Sequence, residues 1–203
     1  MNFKPYFFIV SYVLLLTSCK QTTDDLLDKA YKLNTQKKYD KAIEIYNEVI
    51  TRNSKIQLAF YNRGFAYLQI KKYKEALADF NKVMALQTDG DFVITYNKDL
   101  PYADDETRTQ VPYNDALYQR AQVKYFMDSL RSSFTDFQRL VDNNYEEKSN
   151  CMSWQGTIYI KSGMTNEACE YFFKAKQFAL SDEDRKDAEE MIKTYCGQKN
   201  NNR

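Results

Sequence analysis

Histidine does not occur among the 203 residues, and that absence removes the commonest general base and the commonest transition-metal ligand. It excludes triads built on His and helical His-Glu-x-x-His zinc sites. Glycine (5) and proline (3) are scarce, so a Gly-rich phosphate loop has no material and helices meet few breakers. The four cysteines stand at 19, 151, 169 and 196. None forms a Cys-x-x-Cys pair, which argues against a thiol-rich metal site. Neither charge sign dominates, with 29 Lys and Arg against 28 Asp and Glu. A neutral chain lacks the basic face that a nucleic-acid partner requires and the polybasic stretch that holds a protein to anionic lipid. The expectation is a protein without cofactor or metal, and without a residue to nominate for catalysis.

Long apolar runs are also missing, save one. FFIVSYVLLL, from Phe7 to Leu16, is too short for a membrane-spanning helix, which needs about 20 residues. A charged start at Lys4, an apolar middle and a small-residue end give the layout of a secretory signal peptide. Its last residues, Leu16-Thr17-Ser18-Cys19, resemble the lipobox of bacterial lipoproteins. That resemblance implies cleavage after residue 18 and acylation of Cys19, whose thiolate is the nucleophile such an attachment needs. Two or more acyl chains then anchor a protein stably without a transmembrane helix. Residues 1–18 are thus expected to be a cleaved signal peptide and 19–22 a lipidated tether in the bacterial cell envelope. Lys20 differs from the Asp that retains some lipoproteins at the inner membrane, so the outer membrane is favoured, on its periplasmic or surface face.

Aromatic rings are abundant, with 17 Tyr and 13 Phe, as in a helix-rich chain with a packed core. KKYDKAIEIYNEV at 37–49 returns almost unchanged as KKYKEALADFNKV at 71–83, an offset of 34 between Ala42 and Ala76. Phe60, Gly64, Tyr67 and Leu68 keep helical spacing, as do Leu77, Phe80, Val83 and Met84 across a short polar turn. Residues 58–89 resemble the tetratricopeptide repeat through Phe60, Gly64, Tyr67, Tyr73, Ala76, Phe80 and Val83. Weaker copies hold Leu117, Ala121, Ser133, Phe137 and Leu140, then Met152, Gly156, Tyr159, Ala168, Phe172 and Ala175. Lys124 stands where that family prefers an aromatic.

The resemblance implies an all-α, right-handed solenoid of about four helix-turn-helix repeats over 23–196. Gly163 should end one helix, with Thr165 as N-cap of the next. Ser181 and Asp184 form a capping-box signature for a terminal helix at about 182–196 that covers the last repeat. Residues 197–203 read as a frayed tail. An insertion at about 88–112 separates the second and third repeats; FVITY within it suits a short hairpin or an ordered loop. Its acids Asp99, Asp104, Asp105 and Glu106 lack the spacing of a calcium loop and read as solvated.

In this family the first helix of each hairpin lines a concave groove. Carried over by position, the groove set is Leu27 and Tyr31, then Tyr61, Asn62 and Phe65, then Tyr118, Gln122 and Tyr125, then Ser153, Trp154, Thr157 and Lys161. These side chains would make a mostly neutral, Tyr-rich trough suited to a protein or peptide. Binding and mere lining are both open readings of them. The cationic clamp that some relatives use for a terminal carboxylate finds agreement only at Asn62. A small-molecule ligand, such as a glycan taken up by an outer-membrane system, is the alternative partner, with Trp154 as its stacking platform. Cys169 and Cys196 should lie on antiparallel helices near enough to bridge, leaving Cys151 free; small buried hydrophobes are the other reading.

Overall fold

The computed structural model describes residues 21–87 and 110–197. The expected signal peptide, Cys19, most of the insertion and the last six residues lie outside that description. The described residues form nine helices: α1 Thr23–Thr35, α2 Tyr39–Arg52, α3 Gln57–Gln69, α4 Tyr73–Ala85, α5 Tyr113–Phe126, α6 Leu130–Asp142, α7 Lys148–Lys161, α8 Thr165–Phe178 and α9 Asp182–Tyr195. Each packs on the next in chain order, which makes four antiparallel hairpins and a closing helix.

Capping starts the stack. The N–H of Asp25 donates to Thr22 Oγ1 at 3.1 Å and the Thr22 N–H donates to Asp25 Oδ2 at 3.0 Å. This reciprocal pair satisfies two donors that the helix would otherwise leave open. At the far end the Asp184 N–H donates to Ser181 Oγ at 3.0 Å. Thr165, expected as an N-cap, is instead the first residue of α8, and Met164 takes the cap position without a side-chain bond.

One turn closes all four hairpins, and it recurs at Asn144 between α6 and α7. Lys37, Lys71, Asp128 and Gly163 all adopt positive φ, between 60° and 76°. In each case the N–H of the following residue reaches back five residues, as from Lys72 to the Tyr67 carbonyl at 2.8 Å and from Met164 to the Tyr159 carbonyl at 2.9 Å. This is the Schellman closure, which satisfies carbonyls at a helix end and reverses the chain.

The interior of each hairpin is built on a large ring opposite a small residue. Tyr46, Phe80, Phe137 and Phe172 occupy equivalent places and are fully buried. Facing them are Ala30, Gly64, Ala121 and Gly156. A Cβ added at Gly156 would stand 2.4 Å from the Phe172 ring, whereas one at Gly64 would meet Phe80 at 3.1 Å. Ala42, Ala76, Ser133 and Ala168 complete the close approach. The Ser133 hydroxyl is satisfied by the Ala121 carbonyl at 2.7 Å.

A polar bond recurs at each of the later seams between hairpins. Arg63 holds Asp79 of its own hairpin through two bonds of 2.8 and 2.6 Å and donates to Asn47 of the preceding one at 2.6 Å. Arg120 repeats this with Asp136 at 2.9 and 2.8 Å and with Asn81 at 3.2 Å. At the last seam Gln155 Nε2 donates to Gln138 at 3.0 Å.

The cap helix α9 has one fully buried residue, Ala188. It is held further by Tyr195 stacking on Phe172 at 6.0 Å and by the Lys176–Glu189 ion pair. A disulfide joins Cys169, the fifth residue of α8, to Cys196 at the end of α9, with Cα atoms 5.7 Å apart. Cys151 is a free, buried thiol, and burial pushes its pKa up to about 12.

Candidate functional site: the face of the first helices

The first helices of the hairpins lie closer to one another than the second helices do. α1 touches α3, α3 touches α5, and α9 touches α7 as a further first helix would. α1, α3, α5 and α7 therefore line the inner side of the curve.

The expected groove residues divide on this face. Leu27 is a correction: it is 7 % exposed and belongs to the core cluster of Leu26, Ala30, Tyr46 and Ala59, where α1 meets α2 and α3. Tyr31, one turn later, is 58 % exposed. Asn62 and Phe65 are part-exposed, and the Asn62 carbonyl accepts from the buried Asn34 amide at 3.1 Å. Gln122, Ser153 and Thr157 are part-exposed as well. The Thr157 hydroxyl is turned back onto the Ser153 carbonyl at 2.9 Å.

Tyr61 and Tyr118 repeat one geometry. Each sets its ring edge-on to the large core ring of its hairpin, Phe80 and Phe137, with centroids 5.8 Å apart in both cases. Each ring thus packs on its hairpin while the residue as a whole stays part-exposed. Burial pushes both phenols up to about 12, and nearby carboxylates add to it.

Farther along, Tyr125, Phe126 and Trp154 form a mutual edge-to-face set with centroids 5.2–6.1 Å apart. Phe126 is 44 % exposed and stacks on Tyr73 at 5.6 Å. Trp154 stacks flat on Phe137, 5.8 Å away and 7° from parallel. One of its faces is therefore covered by the core. Lys161 lies over the Tyr125 ring at 4.7 Å and pairs with Asp128 at 2.9 Å.

Three residues that the repeat pattern did not nominate complete the site. Asp115 sits in the first turn of α5 and accepts the Tyr145 hydroxyl at 2.8 Å. The Tyr145 ring leans on that of Tyr118 at 6.0 Å, and Glu147 caps α7 nearby. Burial raises the Asp115 pKa; the Tyr145 bond opposes this, and Glu146 and Glu147 reinforce it. The Tyr145 phenol is likewise pushed up, first by burial and then by Asp115. The sequence signal was weak: the places equivalent to Asp115 hold Asp24, Leu58 and Asn150, and Tyr145 lies between hairpins, where the repeat dictates nothing.

Among the described residues no group of His, Cys, Asp or Glu has the arrangement of a metal site. A shallow hollow beside the α5–α6 turn, lined by Asp128, Leu130, Arg131 and Thr135, lies open on the surface. No described helix is long and apolar enough to cross a membrane.

These features define an all-α solenoid of helix-turn-helix repeats. Residues 57–89 match the tetratricopeptide repeat family. Among solved structures, the chain resembles MamA from Desulfovibrio magneticus RS-1, with a TM-score of 0.61 at 19 % identity over 78 % of this chain and 76 % of that one. It also resembles YrrB, described as a TPR protein with an unusual peptide-binding site, with a TM-score of 0.53 at 18 % identity over 87 % and 86 %. The first TPR of Spaghetti (RPAP3), bound to an HSP90 peptide, superposes with a TM-score of 0.51 at 21 % identity over 70 % and 93 %. Dynein axonemal assembly factor 4 of Mus musculus is 35 % identical over 69 residues, 34 % of this chain and 16 % of that protein. The chain thus matches about a sixth of the length of that relative.

Proposed function

We propose that this protein is a non-catalytic lipoprotein of the bacterial cell envelope. Acyl chains on Cys19 would hold it to a membrane, the outer one by the character of Lys20, while the trough of first-helix side chains holds a protein or peptide segment. The observation that carries the binding part is the face shared by α3, α5 and α7. There Tyr61, Phe65, Tyr118, Gln122 and Tyr125 remain part-exposed although the core behind them is closed. Rings fixed on one side and free on the other give contact area at low entropic cost. YrrB and the Spaghetti domain, whose described functions involve peptides, support this reading. A tether at the N-terminus would add to it by concentrating the trough at one surface.

Two measurements test the proposal. Photo-crosslinking from position 65 in intact cells should capture a defined partner, and Gln122→Arg with Thr157→Arg should abolish that product without lowering the melting temperature. An unchanged product would reject the groove. For the anchor, Cys19→Ser should abolish incorporation of labelled palmitate and release the protein from membranes. Retained label would reject it.

A further inference from the structure

We infer that the segment held in the groove carries a lysine or arginine, and that Asp115, ringed by Tyr61, Tyr118 and Tyr145, seats its cationic end. This rests on the groove being a peptide site. It is carried by a contrast among three carboxylates in the same solenoid.

Asp79 and Asp136 lie between the helices of their hairpins and are each held by an arginine, with Lys124 adding a third donor to Asp136 at 2.7 Å. Asp115 is on the groove side, part-buried, and joins none of the ion pairs among the described residues. The cations on neighbouring elements are engaged elsewhere. Arg139 donates to the Tyr113 hydroxyl at 3.4 Å, Lys148 sits over the Phe178 ring at 4.6 Å, and Lys161 pairs with Asp128. Glu146 and Glu147 add negative charge beside Asp115. The positive end of α5 offsets about half a charge, which leaves the locus negative.

The surroundings are aromatic as well as acidic. Tyr145 touches both Asp115 and the Tyr118 ring, and Tyr61 lies near enough for the Asp115 charge to act on its phenol. Ring faces attract a cation and exclude water from it, and Arg adds a planar fork that matches a carboxylate. An acidic segment would meet repulsion here, and a neutral one would leave the Asp115 charge part-desolvated against its surface. The charge pattern therefore selects a basic segment.

The test is a positional-scanning array of short, N-acetylated peptides, acetylation removing the terminal amine as a competitor. Purified wild-type protein should prefer Arg or Lys at one fixed position. Replacing that residue by Gln in the best peptide should weaken binding roughly tenfold, the sum of a modest ion pair and a cation–π contact. Asp115→Asn keeps an acceptor for Tyr145 and should abolish the preference, with folding checked by thermal melting. Retention of peptides without a basic preference, or a preference that survives Asp115→Asn, overturns this inference and leaves the peptide groove standing. Retention of no peptide overturns both.

Discussion

Gly156 and Gly64 occupy equivalent places, yet they should respond differently to the same change. Gly156→Ala drives a methyl into the Phe172 ring, 2.4 Å from the added carbon, and should cost about 1–3 kcal/mol as overpacking. Gly64→Ala meets Phe80 at 3.1 Å, which a small ring shift relieves, so its loss should be well below that. Urea denaturation of the two variants makes the comparison. Asp115 yields a second prediction, with an unusual sign. Its folded pKa lies above the unfolded value, so the fold holds that proton more tightly than the open chain does. The group then removes stability as pH rises from the unfolded carboxyl pKa through the raised folded one. Asp115→Asn should accordingly raise the melting temperature at pH 7 and lose that advantage in acid. A variant less stable than wild type at pH 7 would refute the burial argument. The large rings were legible in the sequence, because Phe80, Phe137 and Phe172 recur at one place in each copy. Leu27 was misplaced because the repeat pattern assigns a groove position without knowing that α1 meets α2 and α3 there. Asp115 and Tyr145 were illegible because their contact joins residues 30 apart across a turn that the repeat does not specify.

At the scale of elements, the four hairpin turns share a left-handed residue, and only the fourth uses glycine. A side chain in that conformation costs about 1 kcal/mol or more. Lys71→Gly should therefore stabilise the chain by up to about 1 kcal/mol, and Gly163→Ala should destabilise it by a similar amount. No atom lies within 4 Å of the added methyl, so the second loss would come from the backbone alone. Chemical denaturation reads both. The sequence marked turns at Gly163 and at both KKY stretches, but only glycine signalled the left-handed backbone, since lysine rarely reports positive φ. The cap helix α9 is held differently from its neighbours. With Ala188 its one fully buried residue, it relies on the Cys169–Cys196 bond more than on packing. Replacing both cysteines by serine should speed amide exchange in α9 while leaving α1 to α6 unchanged. Equal protection with and without the bond would show that packing suffices.

Across the whole molecule, stability is a sum of hairpins and the seams between them. Asp136 joins α5 and α6 at the middle of the stack, where it answers both Arg120 and Lys124. Asp136→Asn leaves two part-buried cations without their anion and should cost roughly 3 kcal/mol. That loss should appear as a lower urea midpoint for the full chain, because helices on both sides lean on this hairpin. The all-α solenoid was readable from periodicity because its order is mostly local and repeated. Arg63 and Arg120 could have been found the same way, since each stands beside its hairpin's small residue, but charged side chains at that spacing look like solvated surface until burial is known.

The arginine that grips one aspartate ahead and one asparagine behind has a consequence for how such chains grow. Asn47 and Asn81 are the same handle, one presented to α3 and the other to α5. A second copy of the stretch from Asn53 to Leu86, spliced in after Leu86, would meet a matching hand at either border. Extension by tandem duplication is thus open at this place. A copy of the α7–α8 unit would bring no arginine to its junction.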